Sequence, residues 1–364
     1  MIENVIETTE NCRYCLMCRH VCPVGHVTRK ETLTPHGWGL TIASVRRGML
    51  EIDEKVAEVI YSCADCGTCR ANCVTDQPLP SAIGAMRAEI AEKGLAPQGA
   101  YDVHEKLQEW QNPYAQQAPD LASGQGEVAL FVGDDARYLN QSTLEAALLL
   151  LQAVGVRPVL VGIGRNNGYL PSSLGFPNTA AQLIQITLDE LTSCGASTLL
   201  LLTPGDYYAF GQMREERLGL ALPDGLTLQE VIPYLAEQHS AGNLNFRKTD
   251  EQAPYAYVDP THSVRVTTRY DAPRQLLAAL MPKPGLELFW RRERAHPLGQ
   301  GALQYTNSHI ATHLNYARLS DALERGAQLL VTEDPAGLAQ MERFAGRFRL
   351  RVQGLYELLA GQLA

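Results

Sequence analysis

The chain has 364 residues, 45% of them apolar and 20% charged, a globular composition long enough for two or three domains. Its 31 basic and 40 acidic side chains give a formal net charge of −9, and the absence of a long basic run argues against a nucleic-acid partner. No apolar stretch precedes Cys12, and the most apolar segment, Leu144 to Val161, is interrupted by Glu145, Gln152, Arg157 and Pro158, so neither a secretory signal nor a membrane span is expected.

In chain order, the first feature is a pair of cysteine runs. Eight of the nine cysteines fall within the first 73 residues. Cys12, Cys15, Cys18 and Cys22 form one run, followed by Pro23, and Cys63, Cys66, Cys69 and Cys73 form the other. Both read C-x2-C-x2-C-x3-C, the bacterial spacing for [4Fe–4S] cubanes. Two intervening residues make a tight loop that turns three sulfurs onto one cube, while the fourth thiolate of each run lies too far along and reaches the other cube. The spacing therefore predicts two [4Fe–4S] clusters. The first is held by Cys12, Cys15, Cys18 and Cys73, and the second by Cys63, Cys66, Cys69 and Cys22. Zinc knuckles use pairs of C-x2-C rather than two four-cysteine runs, and a disulfide framework suits a small secreted domain.

Around the runs, Gly25 and Gly67 relieve crowding where backbone passes near a cluster. Thr34-Pro35 reads as N-cap and N1 of a helix toward Arg47, and Asp53 as the cap of a second helix through Ser62. Pro78 and Pro80 break the chain before a helix from Ser81 to Gly94. Thiolate-held cubanes are anionic, and Arg13, Arg19, Arg29, Lys30, Arg46, Arg47 and Arg70 offset that charge or simply make a solvated face. Val21, Val24, Val27, Trp38 and Leu40 are candidates for a partner-facing surface or for local core. The first domain is a helical two-cluster ferredoxin module, residues 1–109, followed by a Gln-, Pro-, Ala- and Gly-rich linker, 110–126.

Beyond the linker come two similar halves, 127–245 and 246–364. In the first, strands are expected at 127–133, 158–162 and 197–203, alternating with helices at 143–155, 180–195 and 207–218. In the second, strands are expected at 255–259, 286–290 and 327–332, with helices at 274–281, 312–326 and 337–345. Each half closes on an amphipathic stretch, Leu228 to Leu235 and Leu355 to Leu359. Continuous apolar strands such as Leu199 to Leu202 argue for parallel sheets covered on both faces. The fold class is thus α+β and multidomain, a helical ferredoxin domain followed by a duplicated α/β module. No G-x-G-x-x-G, G-x-S-x-G, H-E-x-x-H or P-loop motif marks a nucleotide or catalytic site.

This order of parts resembles the iron–sulfur proteins of the heterodisulfide reductase D-subunit-like family, which includes iron–sulfur subunits of glycolate oxidase and anaerobic glycerol-3-phosphate dehydrogenase. In that family each C-terminal half carries a Cys-Cys-Gly motif with further cysteines that hold an additional redox site. Here Gly133-Asp134 stands for Gly-Cys, Asn166-Asn167-Gly168 for Cys-Cys-Gly, and Asp206 for a third cysteine. Asp259-Pro260-Thr261-His262 stands for Asp-Pro-Cys-His, Pro297-Leu298-Gly299 lies near the second Cys-Cys-Gly, and Asp334-Pro335-Ala336-Gly337 replaces Cys-Pro-x-Cys. Oxygen ligands hold iron–sulfur clusters poorly, so no cluster is expected in this degenerate C-terminal module. Cys194 remains as a lone, structural thiol. Asp259, His262, His296 and Asp334 have the residue types of a hard-metal site, although nothing in the sequence brings them together.

The resemblance implies a cytoplasmic, non-catalytic electron-transfer subunit of an oxidoreductase, reaching a membrane only through a partner. That partner would be an FAD-containing dehydrogenase of the glycolate, lactate or glycerol-3-phosphate oxidising type, with a further electron carrier beyond it. The alternative is a docking subunit that organises a larger flavoprotein complex. A thiol–disulfide reductase fits less well, because the Cys-Cys-Gly residues are missing.

Overall fold

The computed structural model describes residues 11–118, 124–266 and 269–364. The N-terminal part is helical. Pro35–Arg46 starts where Thr34 Oγ1 accepts from Gly37 N, and Glu54–Tyr61 where Asp53 accepts from Val56 N, as the capping residues predict. The next helix runs Leu79–Glu92, two residues earlier than expected. Pro80 lies inside its first turn, where a missing N–H costs nothing, rather than breaking the chain ahead of it. A further helix, Gln98–Trp110, follows. Its buried Ala100, Val103 and Leu107 lie on one face, a period that a reading focused on the cysteines passes over.

The linker after Trp110 has neither helix nor strand at 111–118 and 124–127, yet its start is pinned. Asn112 is fully buried, donating to Trp110 O and Gln116 O and accepting from the backbone N–H of Tyr114 and Gln116.

Two parallel sheets follow. The first contains β1 (Val128–Gly133), β2 (Val159–Ile163), β3 (Thr198–Leu201) and β4 (Thr227–Glu230) in the order β2-β1-β3-β4. The second contains β5 (Tyr255–Tyr257), β6 (Leu329–Thr332) and β7 (Arg351–Gly354) in the order β5-β6-β7. The expected strand at 286–290 shrinks to one parallel bridge, Leu286 beside Ala256, which lies on the far side of β5 from β6. With that bridge counted, both halves follow one order, and the repeat read in the sequence is a repeat of topology. The closing stretch Leu228 to Leu235 begins in the edge strand β4 and becomes the helix Val231–Ser240, whereas Leu355 to Leu359 lies wholly in the helix Leu355–Ala360, with the edge strand β7 just before it. Four residues are too few to show a strand period in sequence. The expected 207–218 helix is three pieces, Pro204–Tyr208, a π turn at Ala209–Met213, and Arg214–Leu218.

The halves share one core, in which Leu130, Leu150, Leu200 and Leu235 of the first meet Leu276, Leu329, Tyr356 and Leu359 of the second. The helical domain has its own core around Trp38, Ile42, Ile60 and Ile83, which continues into Leu170, Leu174 and Leu183 of the first half and Leu303, Ile310 and Leu314 of the second. Both halves therefore grip the cysteine domain through apolar packing. Among the described residues, no helix is long and apolar enough to cross a membrane.

Candidate iron–sulfur and cavity sites

The two cysteine runs fold alike. Each first C-x2-C loop holds a non-glycine residue in the left-handed region, Tyr14 at φ 53° and Asp65 at φ 47°. Each second loop holds a further left-handed residue, Leu16 at φ 61° and Gly67 at φ 82°. A left-handed residue reverses the chain so that successive sulfurs face one side, at about 1–2 kcal/mol for each side chain with a Cβ. Backbone N–H groups then donate to sulfur, Tyr14 N to Cys12 Sγ (3.4 Å), Gly25 N to Cys22 Sγ (3.4 Å), Asp65 N to Cys63 Sγ (3.3 Å) and Gln77 N to Cys73 Sγ (3.5 Å).

The thiols gather around two spaces. One, of about 250 Å³, is lined by Cys12, Cys15, Cys18 and Cys73, and also by Cys69. The other is lined by Cys22, Cys63, Cys66 and Cys69. Burial pushes the Cys18 thiol up to about 11, with Cys12 and Cys73 adding to it, and the Cys63 thiol up to about 12. Cys22 and Cys69 are raised well above the ordinary thiol range, again chiefly by burial and then by neighbouring cysteines. Such a crowd of buried thiols is unfavourable as thiolates until a cationic iron core supplies the missing charge, so the donor set fits a thiolate-held metal group. Among the described residues no three His, Cys, Asp or Glu side chains converge on a single ion.

The Cys63–Cys69 loop is clamped from the α/β module. Asp65 is 2% exposed and takes Arg217 bidentately at 2.7 and 2.8 Å, while Arg265 reaches its Oδ1 at 3.3 Å and its backbone oxygen at 2.7 Å. Burial alone would push the Asp65 carboxyl up, but the two guanidinium groups outweigh it and hold it below the usual carboxylate range. Arg87 donates to the carbonyl oxygens of Cys63, Ile60 and Ser173, and Tyr169 Oη to Asp65 O at 2.9 Å. His296 Nε2 lies 3.0 Å from Val21 O, with its ring stacked on Trp290. Sequence proximity points to other arginines. Of these, Arg19 pairs with Glu31, Arg46 with Glu89, and Arg70 with Asp76 and Glu216. Arg217 and Arg265 escape a sequence reading because only the fold carries them back across the chain.

Gly67 has a more specific reason than crowding at a cluster. A Cβ there would meet Arg265 Nε at 2.2 Å. Of the apolar residues near the first run, Val21, Val24 and Trp38 are core, whereas Leu40 is exposed.

A larger cavity, about 380 Å³, opens at the carboxyl ends of the strands where the two sheets meet. Its lining includes Asp134 after β1, Asn166 and Asn167 after β2, Asp206 after β3, Thr261 and His262 after β5, and Asp334 after β6. All of these except His262 stand at positions where the family resemblance places cysteines, so the structure gathers the substituted residues into one place. Gln300, just past Pro297-Leu298-Gly299, lines it too. Asn166 donates to Asp134 Oδ2 and Asn167 to Asp206 Oδ1, both at 2.8 Å, and Gln300 to Asp334 Oδ2 at 3.0 Å. Ala64, between Cys63 and Cys66, forms part of the wall. The four residues weighed as a hard-metal site do not assemble. His262 and Asp334 line the cavity, but Asp259 pairs with Arg274 and His296 rests against Val21. Cys194 is buried, its thiol donating to Leu191 O.

Residues 8–76 match the 4Fe-4S dicluster domain family. The D subunit of dihydromethanophenazine:CoB–CoM heterodisulfide reductase from Methanosarcina barkeri is 22% identical over 329 residues, which span 85% of this chain and 79% of that protein. A probable membrane-anchored ferredoxin from Chromohalobacter salexigens is 25% identical, across 87% of this chain and 50% of its own length. The crystal structure of a hypothetical protein from Helicobacter pylori superposes with a TM-score of 0.62 at 12% identity, covering 93% of this chain and 70% of that one, a likeness of fold. The chain thus joins an N-terminal iron–sulfur domain of the 4Fe-4S type to parallel α/β modules, and it is similar along most of its length to the D subunits of heterodisulfide reductase.

Proposed function

We propose that this chain is a docking subunit of a larger oxidoreductase, whose N-terminal domain holds two [4Fe–4S] clusters and presents the first to a flavin-containing partner. The observation that carries this reading is the apolar rim around the first cysteine cavity. Tyr14, Met17, Leu40 and Met49 line that cavity and are exposed, Met49 by 71%, and Leu50 and Val74 are exposed nearby in sequence. On the α/β module the exposed large apolar residues described are Leu139, Leu149, Phe289 and Leu323, and none of them lines the cysteine cavity. An apolar patch around a redox centre is where a partner gains both affinity and a short electron path.

When bound, each cluster takes up and passes on one electron at a time. Cys12, Cys15, Cys18 and Cys73 hold the first, and Cys63, Cys66, Cys69 and Cys22 the second. The N–H groups aimed at sulfur, with Arg87, Arg217 and Arg265 behind the second loop, favour the more negative reduced form. The buried second loop lies against the α/β module, which leaves the first as the side open to exchange. Similarity to a heterodisulfide reductase subunit and to a ferredoxin supports a place in a redox complex. Disulfide cleavage is not part of the reading, because no cysteine is among the cavity's described lining residues.

Two measurements test it. Protein handled without oxygen is expected to hold about eight iron and eight sulfide, with interacting S = 1/2 signals after dithionite. Affinity purification of the tagged chain from its own host is expected to recover a flavin-containing subunit. The Met49→Asp/Val74→Asp variant is expected to lose that subunit at unchanged iron content. Recovery of zinc instead of iron, or a partner retained by the variant, refutes the proposal.

A further inference from the structure

We propose that the cavity between the two α/β halves is a binding site for a small organic cation bearing an ammonium group. The proposal stands apart from the cluster reading, since the cavity binds or fails to bind whether or not electrons pass nearby.

Charge comes first. Asp134, Asp135, Asp206 and Asp334 line one cavity of about 380 Å³, and no lysine is among the described lining residues. The one cationic lining side chain, Arg343, is exposed. Burial raises all four carboxyls, and for Asp134, Asp206 and Asp334 repulsion from neighbouring carboxylates adds to it. Asp135 pushes up Asp134, Asp206 and Asp334, and Asp206 pushes up Asp134 and Asp334. Such a cluster is left short of positive charge by the protein itself. An anion or a nucleotide phosphate would add to the repulsion.

A second, independent observation points to a ligand. Thr261 Oγ1 and His262 Nδ1 have no hydrogen-bond partner, although these residues are only 7% and 8% exposed and both line the cavity. Buried polar atoms without partners are rare and costly, and both residues line the same cavity as the four carboxyls. An ammonium N–H satisfies such acceptors and the spare lone pairs of the carboxylates together. His262 stays neutral, since burial and then Arg265 push its pKa well below the usual range, so it does not compete as a cation.

The walls favour an organic ion over a bare metal. Tyr114, Tyr169 and Tyr305 line the cavity, and aromatic rings attract alkylammonium groups. The volume lies at the lower end for small-molecule pockets, and the position follows the rule that parallel α/β sheets bind ligands outside their strands' carboxyl ends.

Isothermal titration of the cluster-loaded protein tests this with putrescine, agmatine and choline as probes, 1,4-butanediol as the uncharged counterpart of putrescine, and magnesium as the metal control. At least one cation is expected to bind at one per chain, with the diol at least tenfold weaker than putrescine where putrescine is that cation. The Asp206→Asn/Asp334→Asn variant is expected to lose at least tenfold in affinity at unchanged iron content and circular dichroism. Four results overturn the proposal: no binding by any of the three cations, equal binding of putrescine and the diol, unchanged binding by the variant, or magnesium displacing the amine from the same site. The comparison of charged and uncharged probes on the unmodified chain holds even if the variant does not fold.

Discussion

At the scale of single residues, the chain keeps its charges in two contrasting states. Asp65 is neutralised by two arginines, whereas the cavity carboxyls are not. Burial raises Asp206 to about 6 and Asp334 to about 7, against 3.8 for an exposed aspartate. A carboxyl whose pKa is higher folded than unfolded binds its proton more readily in the native state. Between the two values the folded chain holds more protons, so stability is greatest at the acid end and falls as pH rises toward the folded value. Asp334→Asn removes one such group. We expect the wild-type melting temperature to fall between about pH 5.5 and 7, and the variant to fall less. The difference between them should widen over that range to roughly 1–3 kcal/mol in the variant's favour. Thermal melts of cluster-loaded protein across the range check this, and parallel curves would remove Asp334 as a titrating group.

At the scale of elements, the two C-x2-C-x2-C loops share their left-handed positions but not their surroundings. Leu16 and Gly67 occupy equivalent places, and only Gly67 lies under an arginine from the other module. A methyl group at 67 has to displace the Arg265 guanidinium, which holds the backbone of Asp65. Gly67→Ala should therefore cost about 2 kcal/mol or more, from positive φ and a loosened clamp together. Thermal unfolding and the rate at which cluster absorbance bleaches in air report it. The companion Leu16→Ala changes no backbone preference and lacks that neighbour, so it should bleach from the second loop no faster than wild type. A Gly67→Ala cost no larger than the positive φ alone explains, about 1–2 kcal/mol, would mean that Arg265 gives way freely. The cysteine runs and their capping residues were legible because each signal is local: two residues between sulfurs, or one side-chain oxygen three residues before the amide it caps. Arg217 and Arg265 were not, since their partner lies 152 and 200 residues away.

At the scale of the whole molecule, the repeat was legible in the rhythm of apolar runs, while the way the halves close on each other was not. β4 and β7 are four-residue edges whose alternation is too short to read, and the helices that follow them pack in the core shared by the halves. The cavity shows the same division. Its residues could be named from their alignment with missing cysteines, but their convergence depends on both sheets ending at one place. Arg269 binds that junction. It is fully enclosed, donating to Glu230 at the end of β4 and to Glu333 just after β6, with Tyr257 Oη of β5 also on Glu333 at 2.9 Å. Burial raises Glu230 to about 7 even beside this arginine, so the pairing offsets desolvation only in part. Removing the cation leaves two buried carboxyls without a counter-charge, and Arg269→Met should destabilise the chain by about 3–5 kcal/mol near pH 8. The loss should shrink at about pH 6, where the freed glutamates take up protons instead. A triple change, Arg269→Met with Glu230→Gln and Glu333→Gln, should recover most of the stability at pH 8, because neutral amides need no counter-ion. Denaturant midpoints for the three proteins at the two pH values decide it. If the triple variant is no more stable than Arg269→Met, the arginine holds the halves by its packing and hydrogen bonds rather than by its charge.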